Sequence, residues 1–368
     1  MTALSERPAI SIVVLNWNQR DATLACLDSL ARADLMGANV LVVDNGSRDG
    51  TAAAVRAAQP LYQVLELPEN RGYAGGNNAG IGAALYGGAE LILLLNNDTT
   101  VAPDFLLPLL WALKDRPDAA AVCAGVHRAD RPEMLDVAYS EVRFREREAV
   151  KIRGVNALPG QGFAERREVE VAIGCCLLLR AEAVRQVGAL DEAFFAYHED
   201  VDWCLRARKA GWTLLYEPNA RVYHSGSGST IGLHQKPAAP QPFEHVDLPN
   251  AEPLPYNPVR TYLGARNLVR LLQMHATRPE KIAFLLACLR EIPLEYAAVV
   301  FDREGWLRLR RWGYRDLARH IFIERQPVLQ LIRAAERSGR TAEFRAYLRG
   351  LWDGLRDRPL PLEELGLR

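Results

Sequence analysis

Three apolar runs that each stop at polar residues constrain this chain most: "AISIVVLNW", "NVLVVDNGS" and "ELILLLNNDTT". Near-continuous runs of β-branched residues and leucine read as strands buried on both faces, as in a parallel sheet covered by helices. The intervening stretches agree. "DATLACLDSLARA" sets Leu24, Leu27 and Leu30 at helical spacing behind Asp21 as the expected cap, and "DGTAAAVRAAQ" supplies a second helix. Alternating strands and helices predict a parallel sheet with crossover helices. Ligands of such sheets bind beyond the carboxyl ends of the strands, which here carry Asn16 and Asn18, Asp44 to Ser47, and Asn96 to Asp98.

A second strand–helix set follows in "VEVAIGCCLLLR" and "AEAVRQVGAL". After His224 the texture changes to "SGSGSTIG" and a Pro-rich stretch, which reads as a mobile loop or linker over 231–258. From Val259 to 368 the chain reads as helical and rich in arginine. No internal repeat is present.

Lys+Arg and Asp+Glu stand at 45 each, so net charge makes no case for a nucleic-acid partner, and any electrostatic function must be local. Six cysteines without CxxC spacing fit free thiols in a reducing compartment. No signal peptide is visible at "MTALSERPAISIVV". The longest apolar stretch, "IAFLLACLREIPLEYAAVVF", is interrupted by Arg290, Glu291, Pro293 and Glu295, which argues against a bilayer span. A cytoplasmic location is expected.

Several motifs carry chemistry. In "VVDNGSRDGT", Asp44 follows a strand and can accept hydrogen bonds from a nucleotide base or ribose, although a plain turn with a helix cap has the same look. "NRGYAGGNNAG" reads as a glycine-rich loop whose backbone can approach a ligand, with Arg71 and Asn78 reaching polar groups; it is neither a GxGxxG fingerprint nor a P-loop. "LLLNNDTT" delivers Asn96 and Asp98, oxygen donors suited to Mg²⁺ or Mn²⁺, or else a polar strand end. His224 closes "ARVYH" as a ligand or a core histidine. "AFFAYHEDVDW" sets Glu199 and Asp200 among Phe194, Phe195, Tyr197 and Trp203 at a helix start. Aromatic surroundings would raise a carboxylate's pKa and the helix N-terminus would lower it. Asp202 and Arg206 read as an i,i+4 surface pair.

"SIVVLNWN", "VVDNGSRDGT", "NRGYAGGNNAGI", "LLLNNDTTV", "GALDEAFFAYHEDVDWCLRARKAGW" and "ARVYH" occur in the order and spacing of the family 2 glycosyltransferases, and the chain resembles their rhamnosyltransferase-like members over roughly residues 8 to 225. The resemblance implies a GT-A fold, α/β with a mixed, mostly parallel central sheet. Its catalytic domain would span 1–230, with a nucleotide-sugar-binding half at about 8–100 and an acceptor half at about 101–230. It implies that Asp44, Asn16, Asn18, Arg71, Gly72, Asn78 and Asn97 line the donor, and that Asp98, Asn96 and His224 hold a divalent metal ion, Mn²⁺ or Mg²⁺. Asn96 stands where the family's pattern has an acid. Asp200 would be the general base of an inverting transfer, with Glu199 supporting it and Tyr197 and Trp203 facing the acceptor. The implied partners are a dTDP- or UDP-sugar and a saccharide or lipid-linked acceptor.

Two other functions remain open at this point. A sugar-1-phosphate nucleotidyltransferase would use a similar fold, but with a basic glycine-rich loop after the first strand, where this chain has "NWNQRD". A nucleotide-sugar-binding protein without turnover is the other, motivated by Asn96. The arginine- and tryptophan-rich "RNLVRLLQMH" and "GWLRLRRWGYRDLARHIF" suit peripheral contact with the inner face of the membrane, or packing on the catalytic domain or in a homodimer.

Overall fold

The computed structural model describes residues 4–5, 7–225, 258–290 and 342–367. The chain divides into two compact units: Met1–Val142 with Val150–Leu233 and Pro361–Arg368, and Arg143–Ala149 with His234–Leu360.

The first unit is built on a ten-stranded sheet of order β10-β12-β6-β11-β4-β1-β2-β3, in which β10 is Arg167–Glu168, with β5 (Thr99–Val101) on β12 and β7 (Leu135–Val137) on β6. Strands β1 (Ile10–Asn16), β2 (Asn39–Asp44), β3 (Gln63–Glu66) and β4 (Leu91–Asn96) are mutually parallel, in register so that Asn16 lies beside Asp44 and Leu15 beside Asn96. The opening apolar runs are thus three adjacent strands, and their polar residues end at one level. Beyond β4 the sheet is mixed: β11 (Cys176–Arg180) is antiparallel to both β4 and β6 (Ala119–Arg128), whereas β12 (Thr213–His224) is parallel to β6. Strand β4 is buried from Leu91 to Leu95, and Ile12, Val14, Leu27, Leu30 and Phe105 join it in one core. Each such side chain contributes about 1.5–3 kcal/mol.

Helix α1 (Arg20–Ala31) starts before Asp21, which falls in its first turn while Gln19 takes the cap position. The sequence pattern misplaces this cap because the helix's first donors are satisfied from elsewhere. Asn16 Oδ1 accepts from the Gln19 N–H, and Asp49 Oδ2 accepts from the Arg20 N–H.

The glycine-rich stretch is not a loop. It forms helix α3 (Gly72–Tyr86), and a Cβ at Gly76 or Gly80 would collide with the side chains of Leu15 or Val13 on β1. These two glycines let the helix lie against the sheet; they do not open backbone to a ligand.

In the second unit, α7 (Pro258–His275) packs on α8 (Ala342–Leu355) through glycines: a Cβ at Gly354 would sit 2.7 Å from the Arg266 carbonyl oxygen. Residues 278–290 are also helical, started by Thr277, whose N–H and hydroxyl both donate to Glu280 Oε2. Most of the Pro-rich segment and all of "GWLRLRRWGYRDLARHIF" lie outside the described residues. No helix among the described residues is long and apolar enough to cross a membrane.

Candidate active site

Strand β1 sits between β2 and β4, the point at which successive connections run to opposite sides of the sheet and leave a crevice beyond the strand ends. Asn16 closes the floor of that crevice. Its Oδ1 accepts from Gln19 N (3.2 Å), Thr23 Oγ1 (2.8 Å) and Asn97 Nδ2 (3.2 Å), and its Nδ2 donates to Ser47 Oγ (2.9 Å) and Asp44 Oδ1 (3.4 Å). Asn97 also donates to Thr23 Oγ1 (2.9 Å), and Asn18 binds the Arg48 N–H from a left-handed conformation, φ 51°. The amide side chains of Asn16, Asn18 and Asn97 are therefore engaged in building the crevice. Asp44 commits Oδ1 to Asn16 and the Ser47 N–H, which leaves Oδ2 for a ligand.

Arg71 and Asn78, expected at the donor, both contact the loop around Leu190–Glu192. The Arg71 guanidinium makes a bidentate contact with Glu192 (3.0 and 2.9 Å), and Asn78 exchanges two hydrogen bonds with the Leu190 backbone. That loop leads into the "HED" segment. Gly72 explains how the two meet: its φ is 71°, and a Cβ there would lie 2.5 Å from the Phe195 carbonyl oxygen.

Phe195, Tyr197 and His198 all have positive φ, at 62°, 72° and 71°. Such conformations in residues other than glycine cost about 1–3 kcal/mol each and persist only where surrounding contacts impose them. They turn the chain sharply into α6 (Glu199–Lys209), whose first turn carries the acids. Asp200 is partly exposed; its Oδ2 accepts from the Gly174 N–H (3.0 Å) and its Oδ1 from the Val201 N–H (2.8 Å). Burial raises its pKa despite these donors, so between the opposing effects of apolar surroundings and helix N-terminus, burial wins. Glu199 is buried and its Oε2 has no hydrogen-bond partner; burial first, then the charge of Asp200, push its pKa well above the ordinary 4.5.

Asp202 does pair with Arg206 (2.8 Å), but not at the surface as the sequence suggests. Asp202 is fully buried, and Arg206 goes on to bind the carbonyls of Val187 and Ala189 (2.9 Å each). Trp203 is 1% exposed and donates its indole N–H to the Gly188 carbonyl (2.9 Å), so it packs beneath α6, while Tyr197 is partly exposed.

The raised pKa of Glu199 makes a testable statement about stability. A carboxyl that holds its proton more tightly when folded contributes stability fully below its unfolded pKa, and loses that contribution as pH rises through the folded value. In EDTA, Glu199→Gln is therefore expected to flatten the fall in melting temperature as pH rises above the ordinary carboxyl range; an unchanged slope would show that Glu199 ionises normally in the fold.

Asp98, at the turn between β4 and β5 (Thr99–Val101), faces β12, since Thr99 pairs with His224. His224 Nε2 lies 3.2 Å from Asp98 Oδ2, and its Nδ1 lies 2.7 Å from Asp136 Oδ2. Burial pulls the imidazole's pKa down, but Asp136 and Asp98 more than offset it and hold it up at about 10. Asn96 Oδ1 is buried with no hydrogen-bond partner, and Asp98 Oδ2, also buried, accepts no well-aligned hydrogen bond. Asn96 Oδ1, Asp98 Oδ2 and His224 Nε2, once that nitrogen gives up its proton, are a donor set that fits Mn²⁺ or Mg²⁺. No group of three or more His, Cys, Asp and Glu side chains among the described residues forms a cage alone, so Asn96 would have to take part. Asp136, on β7 (Leu135–Val137), is missed by sequence reading because its partner lies 88 residues away and "EMLDVAY" has no motif.

The base candidate and the metal candidate are tied together by consecutive residues. The Gly174 N–H donates to Asp200 Oδ2, and the carbonyl of Cys175 accepts from the Asn96 N–H (2.9 Å). Tyr73, from the first turn of α3, donates its hydroxyl to the Gly174 carbonyl (2.9 Å). Helix α3, the acidic turn and the start of α6 thus meet on one short stretch of backbone.

A mannosyltransferase from Pyrobaculum calidifontis, solved in complex with GDP-Man and Mn²⁺, superposes with a TM-score of 0.54 at 17% identity, covering 95% of this chain and 88% of its own. The likeness shows the GT-A fold. The model of glycosyl transferase family 2 matches residues 11–188. The N-acetylglucosaminyl-diphospho-decaprenol L-rhamnosyltransferase of Mycobacterium tuberculosis is 30% identical over 227 residues, 55% of this chain and 72% of that protein. The succinoglycan biosynthesis protein ExoO of Rhizobium meliloti is 34% identical over 129 residues, 35% of each chain. The chain belongs to glycosyl transferase family 2.

Proposed function

We propose that the protein is a metal-dependent, inverting glycosyltransferase that moves a sugar, rhamnose in the favoured case, from a nucleotide-sugar donor to a hydroxyl of a saccharide or lipid-linked acceptor. The observation that carries this reading is the Gly174–Cys175 tie, which holds a partly exposed carboxylate close to the oxygen-rich turn at the end of β4. Asp44 Oδ2 binds the base or ribose of the donor. Asn96, Asp98 and His224 would hold Mn²⁺ or Mg²⁺, which when bound offsets the charge gathering on the leaving diphosphate. Asp200 accepts the proton of the acceptor hydroxyl as its oxygen forms a bond to the anomeric carbon; the donor's glycosidic bond breaks and its electron pair leaves with the nucleoside diphosphate. A raised pKa suits Asp200 to that role, since it becomes the stronger base.

The Mycobacterium tuberculosis relative, named for rhamnose transfer to a decaprenol-linked acceptor, supports the choice of sugar and acceptor class. An apolar stripe in the second unit, with Ile282, Leu285, Leu286 and Leu289 all exposed, supports contact with lipid. The reading is tested by incubating the full chain with labelled dTDP-rhamnose and UDP-sugars, Mn²⁺ and a polyprenyl-diphosphate-linked saccharide, with the product anomer assigned by NMR. Release of nucleoside diphosphate with an inverted product is expected. A retained anomer would overturn the inverting step, and donor binding without any turnover would leave a binding protein.

A further inference from the structure

Pro361–Arg368 is grouped with the catalytic unit although it follows α8 in the chain. Residues 361–367 form a tight turn closed by three backbone hydrogen bonds: Leu365 N–H to the Pro361 carbonyl, Gly366 N–H to Glu363 and Leu367 N–H to Leu362. Leu367 is fully buried. Its carbonyl accepts a hydrogen bond of 3.0 Å from Asn70 Nδ2.

Asn70 is a buried junction. Its Oδ1 accepts from Asn45 Nδ2 (2.9 Å) and from the Gly72 N–H (2.9 Å), and Asn45 in turn donates to the Gly72 carbonyl and accepts from the Arg71 N–H. Gly46, at φ 76°, packs so closely on this segment that a Cβ would lie 2.7 Å from the Glu69 carbonyl carbon and 2.9 Å from the Asn70 nitrogen. The turn bearing Asp44 and Ser47 is therefore seated on Glu69–Asn70. Asn70 has its amide nitrogen satisfied by Leu367, and an amide donor left without an acceptor in a buried site is costly.

We propose that Pro361–Leu367 is a structural part of the nucleotide-binding half, and that Leu367 and Asn70 are positioning residues for the nucleotide, acting through Asn45 and Gly46 on the Asp44–Ser47 turn. This rests on the reading of that turn as the nucleotide site. When the segment is docked, the turn is preorganised; when it is released, part of the binding free energy must go into re-forming it.

Two full-chain variants test this. Leu367→Asp places a charge in a fully buried position and ejects the segment. Asn70→Asp keeps the acceptor for Asn45 and Gly72 but sets an oxygen against the Leu367 carbonyl. With UDP and dTDP plus Mn²⁺ as probes, both variants should weaken binding about tenfold or more, the double variant no more than either single one. With donor turnover as the assay, KM should rise with kcat unchanged at saturation. Hydrogen exchange should quicken at residues 44–49 and 69–73 without any nucleotide. Lowered melting temperature with unchanged affinity and unchanged exchange in those peptides would mean that the segment merely stabilises the fold, and would overturn the proposal. If the unaltered protein binds neither nucleotide, the reading of the site fails, while quickened exchange at 44–49 in the variants would still uphold the coupling.

Discussion

Asp200→Asn should lower kcat by ~10²–10⁴-fold, about 3–5 kcal/mol of barrier, while the affinity for UDP or dTDP in Mn²⁺ stays within about twofold. The substitution keeps the shape of the side chain, and one amide oxygen can still accept from the Gly174 or Val201 N–H, so the turn into α6 should survive. What disappears is the ability to take a proton. The proposed nucleotide contacts lie elsewhere, at Asp44 and on the turn at the end of β4, so binding and turnover should separate. Glu199→Gln is the companion measurement. Because Glu199 is buried whereas Asp200 is partly exposed, it should cost far less turnover than Asp200→Asn. If the order is reversed, Glu199 is the base and Asp200 its support.

Asp98→Ala is expected to remove the Mn²⁺-dependent part of nucleotide binding altogether. Losing the partner that orients a metal-bound imidazole typically weakens metal affinity 10–100-fold, and a direct carboxylate ligand should exceed that. Asp136→Asn, which alters the contact at His224 Nδ1 but leaves Nε2 in place, should fall within the smaller range. Manganese bound to each variant, followed by electron paramagnetic resonance with and without UDP, would rank them. Nucleotide binding to Asp98→Ala that still requires Mn²⁺ would show that the ion is held elsewhere.

Much of the fold is legible in the residues because its determinants are local. The runs from Ile10, Asn39 and Leu91 are long, apolar and β-branched or leucine-rich, and they become adjacent strands whose polar ends align. The acidic turn and the "HED" segment are equally readable, since acids at strand ends and helix starts stand out against apolar neighbours. The failures have a common physical origin. Gly76 and Gly80 look like loop glycines because the side chains that require them, Leu15 and Val13, are more than sixty residues away. Nothing beside Asn78 or Arg71 in the sequence announces their contacts with Leu190 and Glu192, which lie more than a hundred residues further on. Asp202 and Arg206 have the spacing of a solvated pair, and only the packing of α6 on the Val187–Ala189 carbonyls buries the acid. Asp136 has no local signal at all. In each case the partner, not the residue, decides the role.

The pairing of β5 with β12 also bears on how the molecule comes together. Thr99 meets His224 across 125 positions of chain, whereas β1, β2 and β3 are joined by short crossovers. Contacts between distant positions carry the larger loop-closure entropy and tend to form late in folding. Strands β1 to β3 can therefore consolidate first, while Asp98 and His224 come together only when the long excursion from β5 to β12 has closed. If Asp98 and His224 hold manganese as proposed, the ion added during refolding should leave the early consolidation of β1 to β3 untouched and act on the last, slowest phase, as a reporter of completed assembly.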